Sequence, residues 1–168
     1  NGDLGQRSAY SMFGWMNYYR YTGDPAAIAH VTLIADLLLQ HCQTDDSHPW
    51  PRFLISVPTH GVPYGKCDCH GMIQLDIVAN VGLALVQAYQ TIGETRWLDA
   101  AKHWGDLLAN NCNRDPRFPP WNRYANPEDA PWSDMQTGGV GLILEFLDAL
   151  MRLGYMGADN AIVGARDA

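Results

Sequence analysis

Positive charge is scarce in this sequence and nowhere clustered. Lys and Arg number 11 against 18 Asp and Glu, a formal charge of −7 at pH 7. Nucleic-acid binding needs a basic patch or stripe to meet the phosphates, so a nucleic-acid partner is not expected. No uninterrupted apolar run approaches the roughly 18 residues that span a bilayer, and no membrane attachment is expected either. Cysteine is sparse, four residues in all, and the spacing does not form a disulfide framework. Cys67 and Cys69 lie too close to bridge each other easily. Cys42 and Cys112 are expected to pack as small apolar residues, without a mutual disulfide, and the redox compartment stays open. The chain starts at Asn1 with neither an initiator Met nor a signal-like segment. It therefore reads as processed, or as a portion of something longer. The sequence does not fix a location; a secreted or periplasmic one is the expectation.

What the sequence does contain is an internal repeat. Gly23-Asp24 reappears as Gly93-Glu94, Cys42 as Cys112 and Asp45 as Asp115, each at a spacing of 70 residues. Trp50-x-Arg52-Phe53 returns as Trp121-x-Arg123-Tyr124. Self-similarity at a fixed period marks an array of one supersecondary unit, and a lone helical pair cannot bury its apolar side without a neighbour. At 168 residues, 47% hydrophobic and 17% charged, residues 1–168 are expected to form a single domain with one core.

Periodicity places five helices. Leu4–Tyr21 carries Tyr10, Phe13, Gly14, Asn17 and Tyr21 at i, i+3, i+4, i+7 and i+11, a helical stripe. Thr22-Gly23-Asp24-Pro25 supplies a left-handed stop, a cap and a first-turn proline. A second helix is predicted over about Pro25–Gln43, a third over Ile73–Thr91, a fourth over Thr95–Asn111 and a fifth over Gln136–Leu153. The tail Tyr155–Ala168 has the makings of a sixth. The connections are unequal. Short glycine turns join helices one to two and three to four, whereas long Pro-rich loops, Thr44–Gly71 and Asn113–Asp134, join two to three and four to five. Loops of that length in a compact domain are commonly functional. In an antiparallel stack the long loops gather at one end, above the N-termini of helices three and five, where unpaired N–H groups favour polar or anionic ligands.

The residues around the turns carry a family likeness. Tyr19-x-x-Thr22-Gly23-Asp24, followed by Pro25 and His30, and the second copy Tyr89-x-x-Ile92-Gly93-Glu94-x-x-Trp97-Leu98-x-x-Ala101, resemble the hairpin signature of the six-hairpin glycosidases. The resemblance implies an all-α fold of antiparallel helical hairpins forming part of an (α/α) toroid, with odd-numbered helices inside and long loops lining a sugar-binding funnel. It also implies carbohydrate chemistry, since this superfamily holds glycoside hydrolases, polysaccharide lyases and epimerases. A full toroid has six hairpins and this chain holds two and a half to three. The rest of the toroid, or a partner chain, is therefore expected beside it.

The loops hold the chemistry. Loop one presents His60, Tyr64, Asp68 and His70, groups able to move protons near neutrality, or simply to cap helices within a Pro- and Gly-stiffened loop. Its Cys67-x-Cys69-His70 run offers zinc-type ligands, but the spacing lacks the second pair that structural zinc requires, so no metal and no cofactor are expected. Loop two presents Trp121, Arg123, Tyr124 and Trp132, suited to stacking on sugar rings and gripping a uronate carboxylate. Asp134 and Asp76 stand at the starts of helices five and three, positions that suit caps as well as catalysts. Glycoside hydrolysis takes two carboxyl groups, for which Asp134, Asp68 and Asp76 are candidates, with His70 beside them as acid or base. The substrate-binding set is His60, Tyr64, Trp121, Arg123, Tyr124 and Trp132. The expected activity is hydrolysis of a complex polysaccharide or its oligosaccharides. A uronate-polysaccharide lyase, using a His or Tyr base and a neutralising cation, and a non-catalytic glycan-binding or scaffold array are the alternatives.

Overall fold

The computed structural model describes residues 4–56, 71–125 and 137–167. It is all-α: α1 (Leu4–Thr22), α2 (Ala26–His41), α3 (Leu75–Ile92), α4 (Thr95–Asn110), α5 (Thr137–Arg152) and α6 (Ala161–Arg166), the last preceded by a short 3-10 turn at Ala158–Asn160. Among the described residues no β-strand forms, only two isolated bridges, Gln43 with Leu54 and Gln74 with Tyr124.

Each short turn closes in the same way. Gly23 and Gly93 take left-handed φ values of 71° and 88°, and each N–H reaches back to a tyrosine carbonyl, Tyr19 or Tyr89, at 2.7 Å. Positive φ at the end of a helix costs a glycine little. The chain therefore reverses within two or three residues, and α2 returns along α1 as α4 returns along α3.

The odd-numbered helices run side by side and parallel. Near its start α1 meets the start of α3, where a Cβ on Gly5 would lie 2.3 Å from Ile77 Cγ2. Near its end Arg20 donates to Thr91 Oγ1 at 3.2 Å. The middle of α3 meets the middle of α5, where Gly82 faces the Phe146 ring. The even-numbered helices pack on the outside, with α4 against α6 and Arg96 of α4 paired to Asp36 of α2 at 2.8 Å. Hemmed in by α1, α4 and α5, α3 is buried around most of its circumference. It is also the one described helix long and apolar enough to cross a membrane. A search for uninterrupted apolar runs passes over it, because Asp76, Asn80, Gln87 and Gln90 break the run. Its burial inside the protein makes it the central core helix.

The helical stripe of Tyr10 and Tyr21 is not the buried side of α1: those two are exposed, 60% and 92%, while Gly5, Ala9, Met12 and Met16 are buried. Close approach to α3 selects small and pliable residues for the buried side. Helix three also starts two residues later than periodicity predicts, because Ile73 and Gln74 are extended and pair with loop two.

Candidate functional site

The two long connections meet just before α3. Loop one leaves α2 through a bridge between Gln43 and Leu54, reinforced by Thr44 N–H to the Phe53 carbonyl at 2.9 Å and Ile55 N–H to the Cys42 carbonyl at 2.9 Å. Ser56 N–H then donates to the Met72 carbonyl at 2.6 Å, and the buried Ser56 hydroxyl accepts Gln74 N–H at 3.2 Å. On the other side, Leu75 N–H donates to the Arg123 carbonyl at 2.9 Å and Ala125 N–H to the Ile73 carbonyl at 3.1 Å. The Gln74 amide donates to the Tyr124 hydroxyl at 3.2 Å. Three short extended pieces, 54–56, 72–74 and 123–125, are thus stitched together at the mouth of α3. An extended backbone must place its N–H and C=O groups somewhere once buried, and here each loop satisfies the other.

Asp76 and Arg123 come together at this junction. Asp76 sits half-buried in the first turn of α3, its Oδ1 accepting the Ile77 N–H at 2.9 Å. Burial pushes its carboxyl above the ordinary Asp value, while the positive charge of Arg123 and the Ile77 N–H pull the other way. The Arg123 guanidinium lies over the Tyr124 ring, 5.4 Å from its centroid, in cation–π range. Its Nε is buried and has no hydrogen-bond partner among the described residues. A desolvated carboxyl close to a guanidinium is a pair of groups whose effects on the proton oppose each other, the kind of polar junction that makes a candidate site.

The other candidates fall in three places. Trp121 is 2% exposed and its indole N–H donates to the Leu108 carbonyl at 2.9 Å, so it anchors loop two to α4 and offers no ring face outward. Tyr124 is 6% exposed and packs between Gln74 and Arg123. His60, Tyr64, Asp68, His70, Trp132 and Asp134 lie outside the described residues, as do Cys67 and Cys69. Sequence reasoning passed over Gln74 and Ser56, two of the few buried polar residues. The signal was there for Gln74, a lone amide inside the apolar run Met72-Ile73-Gln74-Leu75.

The first repeat's counterparts differ in use. Trp50 is buried against Phe53, ring centroids 4.9 Å apart. Arg52 adopts a left-handed φ of 49° and is exposed. Its carbonyl accepts the Trp104 indole N–H at 2.8 Å, and the adjacent Pro51 carbonyl lies 2.7 Å from His103 Nε2. Loop one is thus clamped to α4, whereas Arg123 is turned toward α3. Among the described residues no three His, Cys, Asp or Glu gather as metal ligands, and Cys42 and Cys112 are buried free thiols. Comparison with family models, with curated proteins and with solved structures returns no match.

Proposed function

We propose that the chain is a portion of an (α/α) toroid of the six-hairpin glycosidase kind, and that it acts as a glycoside hydrolase on a complex polysaccharide or its oligosaccharides. The observation that carries this reading is the junction at the mouth of α3, where both long loops are hydrogen-bonded to residues 72–75 and the charge of Arg123 acts on Asp76. The parallel odd-numbered helices, backed by even-numbered ones, are the arrangement a toroid sector requires. In this reading Asp76 is the general acid, because burial favours the protonated carboxyl that must donate to a leaving oxygen. The second carboxyl that hydrolysis requires is assigned to Asp68 or Asp134, the first four residues before Met72 in loop one and the second in the run between Ala125 and α5.

The second reading is a uronate-polysaccharide lyase, favoured by the Nε of Arg123, which has no hydrogen-bond partner among the described residues, since a guanidinium takes a planar carboxylate through paired N–H groups. Product analysis separates the readings. New reducing ends without ultraviolet absorbance support the hydrolase. Reducing ends that carry the absorbance of an unsaturated uronate make the protein a lyase. Retained glycan binding with neither product makes it a binding array, and absence of both products and binding removes the carbohydrate assignment.

A further inference from the structure

We draw no further inference here: the strongest candidate, the cleft of about 320 Å³ between α2 and α4 roofed by Arg52, has its rim guanidiniums Arg52 and Arg96 already engaged by Asp46, Asp36 and Glu94, and nothing in the structure shows what fills it.

Discussion

Residues matched by the repeat share local chemistry even where their surroundings differ. Asp45 Oδ1 accepts the Ser47 N–H at 2.9 Å, and Asp115 Oδ1 accepts the Arg117 N–H at 3.1 Å. Both are aspartate turns that a short side chain makes with the backbone two residues on. Both carboxyls are held below the ordinary Asp value, Asp45 first by the Ser47 hydroxyl and Asp115 first by the Arg117 side chain. Asp76 behaves in the opposite sense. Its native pKa is raised, so its contribution to stability is full below the ordinary Asp value and is lost as pH rises through the raised one. Asp76→Asn should therefore gain stability relative to the parent as pH climbs through the acid range, and a set of denaturant melts across that range checks it. A difference independent of pH would mean that Asp76 is not desolvated in the native state. Tyr155 gives a second test at the other end of the scale. Burial first, then its 2.5 Å hydrogen bond to Asp106 and the carboxylate charge, push the phenol from 10.0 up to about 12. The stability it supplies is complete below pH 10.0 and disappears as pH rises through about 12. Tyr155→Phe should be less stable by about 0.5–1.5 kcal/mol near neutrality, the usual net worth of one hydrogen bond, and the gap should close in alkali. A gap that persists in alkali would assign the loss to packing.

At the scale of the element, glycines set how near the helices come. A Cβ on Gly82 would meet three Phe146 ring carbons at 2.5–2.9 Å, and one on Gly105 would meet Leu150 Cδ1 at 2.4 Å. A ring pressed between two helices has little room to yield, so Gly82→Ala should destabilise by about 1–3 kcal/mol through overpacking. Unfolding in urea measures this directly; an unchanged or higher midpoint would show that α5 gives way freely. The turn glycines were legible in the sequence because Gly23 and Gly93 end helical patterns and precede acidic residues. The inward side of α1 was not legible, because aromatic spacing outweighed the small residues at Gly5 and Ala9. Periodicity identifies a helix but leaves open which of two apolar-looking sides meets a neighbour that must come close. The start of α3 was misplaced for a related reason. Ile73 and Gln74 look helical in isolation, and pairing with Ser56 on one side and the distant Arg123–Ala125 segment on the other holds them extended.

At the scale of the whole molecule, the period of the sequence becomes a row of parallel helices with a second row behind it. The stacking of helices was legible because helical units that cannot bury their apolar sides alone must pack on one another. The site was legible only in part. Asp76, at the start of helix three, and Arg123, in loop two, are separate candidates in the sequence, and the structure brings them to one junction. Trp121 in its loop suits stacking on a sugar ring, whereas the structure buries it, with a hydrogen bond to α4 that no local pattern announces. The proposed chemistry rests on Asp76, and its most direct test is the rate of reducing-end release by Asp76→Asn against the parent protein, with helical content and unfolding midpoint recorded for both. A general acid contributes typically about 10²–10⁴-fold. A loss of that order on an intact fold is the expected result for Asp76 as general acid. An unchanged rate from an equally folded Asp76→Asn protein would contradict it.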